Sequence, residues 1–228
     1  MKRSEVNTIM KEADDFIRRS GFYLPPFAYW TPEDWRTRGE EAREIVENQL
    51  GWDITDFGRG KYDTEGLFLF TIRNGGQADL KAGRGKLYCE KIMVVDVDQV
   101  TPMHCHWSKT EDIINRGGGK LVIQLYNATE SDGLADTAVT AALDGVKRHF
   151  KAGDIVTLGH GESITLPPRL YHKFWGAVDR VLVGEVSMVN DDRSDNCFYE
   201  SVGRFPTIEE DEAPWHLLVS DYGGYYRA

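Results

Sequence analysis

From Leu67 onward the chain is a succession of short runs rich in Val, Ile, Phe and Tyr, divided by glycine-bearing turns. Such runs are the signature of β-strands. They are predicted near 67–73, 88–96, 101–107, 120–126, 146–150, 154–158, 163–166, 171–176 and 180–189, with turns at Asn74-Gly75-Gly76, Gly117-Gly118-Gly119 and Gly159-His160-Gly161. The triple glycine lacks the lysine and helix that follow a nucleotide-binding loop, so it reads as a turn. Strands of this number and spacing predict a closed antiparallel barrel or jelly roll. Residues 127–145 are long for a turn and read as a hairpin excursion or a lid.

The region before the strands has a different period. Val6, Ile9, Met10, Ala13, Phe16 and Ile17 follow a helical stripe over 5–20, with Ser4 placed to cap it and Gly21 to end it. Thr31-Pro32-Glu33-Asp34 carries a capping box, and Ala42, Ile45, Val46 and Leu50 continue a helical face as far as Gly51. Residues 1–52 are therefore expected to be a mostly helical extension packed on the barrel, within one domain of 1–228. The aromatic tail with Trp215, Tyr222, Tyr225 and Tyr226 is expected to pack on the barrel, its last residues fraying at Gly223-Gly224.

Charge and composition exclude several roles. A formal net charge of −10 with no basic tract repels phosphate backbones, which argues against nucleic acid as a partner. No apolar run approaches the roughly 18 residues of a membrane span, and the charged start Met1-Lys2-Arg3-Ser4-Glu5 does not resemble a secretory signal. Cys89, Cys105 and Cys197 are too few for a disulfide framework, so a cytoplasmic setting is expected. The helices and the aromatic tail offer apolar surface beyond one core, from which a homodimer is expected.

The chemistry concentrates in a few residues. On a strand over 101–107, alternation points His104 and His106 to one face and turns Cys105 away. With Glu111 five residues beyond and His172 much later, they read as the ligands of one divalent metal. Imidazole and carboxylate without thiolate suit Mn, Fe, Zn or Ni in a catalytic site better than a structural zinc. Glu185 interrupts the apolar run Val181-Leu182-Val183-Gly184 and shares its parity with Val183 and Ser187. A carboxylate turned into a cavity there can have the raised pKa of a general base. Lys109, between the ligands, is either functional or merely exposed. Trp107, Phe174 and Trp175 are candidate walls for a sugar, and Asp191, with Asp192 and Asp195, a candidate polar contact.

The spacing His104-x-His106, four residues, Glu111, six residues, Gly118 resembles the first motif of the cupin superfamily, and Gly161, Pro167 and His172 resemble its second. Three positions depart from that pattern. Asp98 and Arg169 stand where glycine is usual, and Gly176 where asparagine is usual.

Within that superfamily, the run from Met103 to Asn115, the segment Leu170-Tyr171-His172-Lys173-Phe174-Trp175, and Gly184-Glu185-Val186-Ser187 with Asn190-Asp191-Asp192 resemble the bacterial D-lyxose isomerases. The resemblance implies a mainly β, cupin-type barrel, Mn as the metal, and conversion of D-lyxose to D-xylulose and of D-mannose to D-fructose. It further implies that the metal binds O1 and O2 of the open-chain sugar while Glu185 shuttles a proton through a cis-enediolate, Lys109 assisting, or else that a hydride shifts. The residues alone leave a cupin dioxygenase, a decarboxylase or a non-catalytic sugar-binding barrel as alternatives.

Overall fold

The computed structural model describes residues 1–203 and 206–227. Its α-helices are α1 (Arg3–Arg19), α2 (Pro32–Arg36), α3 (Arg43–Glu47), α4 (Gln77–Ala82) and α5 (Tyr222–Tyr225). Its strands are β1 (Gly51–Thr55), β2 (Leu67–Arg73), β3 (Tyr88–Val95), β4 (Thr101–Cys105), β5 (Glu111–Ala128), β6 (Leu134–Ala135), β7 (Val139–Leu143), β8 (Val146–Phe150), β9 (Ile155–Leu158), β10 (Ser163–Leu166), β11 (Leu170–Met188) and β12 (Cys197–Phe198). The architecture is mainly antiparallel β, of cupin type, with a helical N-terminal part, as the sequence predicts.

The sheet runs β1-β2-β3-β11-β5-β10-β7-β8, with β4 paired to β11 and β12, and with β6 and β9 paired to β5. The two long strands bend and change partners. The first half of β11 lies between β4 and β5, and its second half between β3 and β5. Side chains from distant parts of the chain thereby look into one interior.

Two apolar layers share the walls. Leu67 and Leu69 of β2 face the barrel interior with Met93, Ile113, Phe174 and Val183, whereas Phe68, Phe70 and Ile72 face outward onto Val6, Met10, Ala13 and Ile17 of α1. Because both faces of β2 are covered, its run Leu67-Phe68-Leu69-Phe70 is apolar at every position rather than alternating.

Several local expectations are corrected. Ser4 lies inside α1 and donates to Asp211; the N-cap is Lys2, whose amide donates to Glu5 at 2.6 Å. The Thr31 capping box forms as expected, Thr31 Oγ1 accepting from the Asp34 amide at 3.1 Å. The following helical face is broken, however: Gly39 is extended, α3 is short and Gly51 opens a strand. The tail does not fray at Gly223-Gly224. Those residues lie within α5, Tyr222 Oη donates to the Leu50 carbonyl at 2.6 Å, and Tyr226 Oη donates to that of Gly39 at 2.9 Å. Of the segment read as a hairpin excursion or a lid, the hairpin is found: β7 lies in it and pairs with β8.

The triple glycine is a kink inside β5, not a turn. A Cβ on Gly118 would lie 2.1 Å from the Arg180 carbonyl oxygen, and one on Gly119 would lie 2.2 Å from that of Asp179. Glycine is thus what allows β5 and β11 to touch at the kink. On the opposing strand the register shifts between Ala177 and Val181, and Val178 takes φ +73° while 86 % exposed. A β-branched residue is strained in that left-handed region. Val178→Gly is therefore expected to stabilise the fold by about 0.5–1 kcal/mol in urea denaturation, the relief exceeding the added chain entropy of glycine. An unchanged or lower midpoint would count against strain at this position. Among the described residues, no helix is long and apolar enough to cross a membrane.

Candidate active site

Strand β4 delivers His104 to the barrel interior and turns Cys105 away, and the chain leaving β4 brings in His106. The antiparallel register sets His172 of β11 directly opposite His104. One ring nitrogen from each of the three buried histidines lies within 4.8 Å of the others. Glu111, at the start of β5, completes the group: its Oε1 is 3.3 Å from His106 Nε2 and 3.1 Å from His172 Nε2.

The tautomers follow from what the other ring nitrogens touch. Nδ1 of His104 is 2.8 Å from the Pro102 carbonyl oxygen, that of His106 is 2.7 Å from the Asp195 carbonyl, and that of His172 is 3.0 Å from the Leu170 carbonyl. A carbonyl only accepts, so each Nδ1 carries a proton and each ring turns its Nε2 inward. Burial, with His172 and His106 alongside, holds His104 well below the ordinary imidazole range and keeps it neutral. His172 Nε2 is buried with no hydrogen-bond donor. It faces Glu111 Oε1 without a hydrogen bond, a gap that a cation between the two would fill. The donor set fits a divalent metal.

A second cluster adjoins the first. Lys109 Nζ bridges Glu111 Oε2 at 2.7 Å and Glu185 Oε1 at 2.9 Å, and Lys91 Nζ lies 3.3 Å from Glu185 Oε2. Ser187 Oγ donates to Glu185 Oε1 at 2.9 Å, and Asn190 Oδ1 accepts from both lysines. Lys109 and Glu185 thus both face the interior. The raised pKa expected of Glu185 is corrected. Burial alone would raise it, but the Lys109 and Lys91 ammoniums outweigh burial and hold it below the usual carboxylate range. Glu111 behaves alike: burial pushes upward, and Lys109 together with the contacts to His106 and His172 more than reverses it.

Together these groups form the polar end of a cavity of about 230 Å³, small enough for a single sugar. Phe57, Leu69, Met93, Phe174 and Phe198 supply its apolar wall. Of the candidate substrate contacts, Phe174 lines the cavity and three others do not. Trp107 is 40 % exposed with the Arg169 guanidinium 5.6 Å from its ring centre, and Trp175 lies beneath Lys173. Asp191 accepts from Ser194 and the Arg193 amide to shape its own loop. Neighbouring Asp192 and Asn196 reach the cavity instead. Asp53 and Lys91 were missed by sequence reasoning. Each is a charge inside an apolar strand, Trp52-Asp53-Ile54 and Lys91-Ile92-Met93-Val94, the same signal that singled out Glu185.

The two positions that depart from cupin glycines both adopt left-handed backbone, Asp98 at φ +59° and Arg169 at φ +64°. The fold therefore keeps the conformation that glycine usually supplies. Arg169 is held by its amide donating to the His106 carbonyl and its guanidinium to the Thr129 carbonyl and Asp132.

An antiparallel barrel with convergent histidines and a paired lysine–glutamate cluster at one end of a sugar-sized cavity defines a cupin-type enzyme. Comparison with known proteins narrows that class. The D-lyxose isomerase family model matches residues 1–222. A D-lyxose/D-mannose isomerase of Serratia proteamaculans is 48% identical over 97% of this chain and 98% of its own, and one of Escherichia coli O157:H7 is 45% identical over the same shares. The chain belongs to the D-lyxose isomerase family and is a sugar aldose–ketose isomerase. Among solved structures, an L-ribose isomerase of Cellulomonas parahominis superposes with a TM-score of 0.62, covering 92% of this chain and 98% of that one. At 16% identity, that likeness concerns the fold.

Proposed function

We propose that the chain is a metal-dependent isomerase interconverting D-lyxose with D-xylulose and D-mannose with D-fructose, with Mn the preferred ion held by His104, His106, Glu111 and His172. The observation that carries this reading is the set of three histidines with Nε2 turned inward by Nδ1–carbonyl contacts, two of them against one Glu111 oxygen. The names of the relatives, both D-lyxose/D-mannose isomerases, support the choice of sugars. D-mannose repeats the D-lyxose arrangement at C2, C3 and C4 and adds one carbon, so a cavity tolerant at its far end accepts both.

When bound, the metal supplies Lewis-acid polarisation of the sugar carbonyl. The remaining work falls to side chains. Glu185, ionised and fixed by Lys109, Lys91 and Ser187, takes the proton from C2 and returns it to C1. Lys109 holds Glu111 and Glu185 in fixed relation and faces the oxygen on which charge develops. The apolar wall, with Phe174 and Phe198, excludes water while the enediol exists.

Assay of the metal-reconstituted protein against a panel of aldoses tests the activity, with D-lyxose and D-mannose expected to give ketose fastest. Turnover in deuterated water tests the route. Solvent deuterium at C1 of the ketose would support proton transfer, and complete retention of the original C2 hydrogen would count against it.

Asp195 supports the metal site from behind. Its carbonyl accepts from His106, and its carboxylate accepts from the Ser108 and Lys109 amides at 2.9 and 3.0 Å. Asp195→Ala is expected to weaken Mn affinity by about 10-fold or more in calorimetry, because the loop carrying His106 and Lys109 loses its anchor. Parental affinity would show that the loop holds itself. The chain further reads as a cytoplasmic homodimer, and a monomeric mass across micromolar concentrations in light scattering would reject the dimer.

A further inference from the structure

We infer that Cys105 and Cys197 form a reversible disulfide by exchange with a low-molecular-weight disulfide, and that its state sets the affinity of the histidine cluster for a divalent cation. The second part rests on the metal reading above; the first does not.

Strands β4 and β12 pair antiparallel with Cys105 directly opposite Cys197, and His104 directly opposite Phe198. Opposed residues project to one face with Cα atoms roughly 4.5–5.5 Å apart. That lies within the ~4.4–6.8 Å span of a disulfide. Both thiols are free and lie on the face away from the cavity, where Tyr171 Oη is 3.1 Å from Cys197 Sγ. Cys197 is half-buried and reachable, whereas Cys105 is fully buried behind it. Cys89 sits on β3 opposite Ser187 and faces no cysteine.

The chemistry needs only an external disulfide. The Cys197 thiolate attacks one of its sulfurs, forming a mixed disulfide and expelling one thiol. The buried Cys105 thiol then loses its proton and attacks Cys197 Sγ, closing the internal bond and expelling the second thiol. Two protein thiols lose two electrons and two protons, and the external disulfide takes both up as two thiols.

The consequence for the site follows from the register. Opposed Cβ atoms stand about 4.5–5.5 Å apart. In a disulfide they stand about 3.8 Å apart. Closure therefore draws the two strands together at the residues next to His104 and Phe198, which stack with ring centres 5.3 Å apart on the cavity side. Asp195, which anchors His106, lies two residues before Cys197. His104 on β4, and His106 through its Asp195 anchor beside β12, are displaced from the common centre.

The test uses the intact protein incubated with oxidised glutathione, followed by thiol alkylation and peptide mapping. A Cys105–Cys197 cross-link is expected, with Cys89 still alkylated, and Cys197→Ser is expected to abolish it. Calorimetric titration with Mn is expected to show about 10-fold weaker binding after oxidation, restored by dithiothreitol. Three alkylated cysteines, or a stable glutathione adduct without the cross-link, would overturn the disulfide. A cross-linked protein with unchanged Mn affinity would overturn the coupling. Failure of the reduced protein to bind Mn at all would overturn the metal reading and the coupling with it, leaving the cross-link to stand on its own mapping.

Discussion

Glu185→Gln is expected to leave the metal bound and to slow turnover of D-lyxose by about 10²-fold or more, with KM little changed. Glutamine matches the shape of glutamate and still accepts from Lys109 and Ser187, so the cavity keeps its form. What it cannot do is take a proton from C2. The low basicity imposed by two ammoniums does not disqualify the carboxylate, because it guarantees that the group is ionised whenever substrate arrives. A purely structural glutamate would give another pattern: a lower unfolding midpoint with residual turnover near parental. Parental turnover with metal bound would move the role to Lys109 or to an acid of the 191–200 segment, of which Asp192 already reaches the cavity.

Metal removal is expected to have the larger effect. Chelation should lower turnover by about 10³-fold or more and be reversed by Mn. A variant with His104, His106, Glu111 and His172 all replaced by alanine should retain no stoichiometric metal in elemental analysis; retention would defeat the assignment. Acid should mimic chelation, since protons compete for the same Nε2 lone pairs. The lysine–glutamate cluster does not confuse this test. Glu111 and Glu185 sit below their ordinary values, so their contribution to stability is complete above about pH 4.3 and is lost only as pH falls further. Lys91 and Lys109 sit above theirs, so their contribution is complete below about pH 10.4 and is lost only as pH rises further. Between those limits the cluster is constant, so a loss of metal there in acid reports competition for the Nε2 atoms.

Strand period and ligand spacing were legible because they are local. Alternation placed His104 and His106 together and Cys105 apart, and parity placed Glu185 inward, without knowledge of any partner strand. The same reasoning misjudged what depends on partners. Trp107 and Trp175 stand near His106 and His172 in sequence, yet Arg169 and Lys173 cover their rings outside the cavity. The triple glycine looked like a turn because a turn is the commonest use of such a run. Its actual use, close contact with β11, is visible only once Arg180 and Asp179 are in place.

The sequence by itself determined the class of fold, the grouping of His104, His106 and His172 beside Glu111, and the strand that carries Glu185. These follow from periods of two and 3.6 and from charges that interrupt apolar runs. The tertiary structure decided the rest. It set the protonation of Glu185, the tautomer of each histidine, and the places of Asp53 and Lys91, because each depends on groups far away in the chain. Lys109 lies 76 residues from Glu185, and the Asp195 carbonyl lies 89 from His106. A charge's pKa and a ring's tautomer are set by whatever lies within a few ångströms, and only the folded barrel determines what that is.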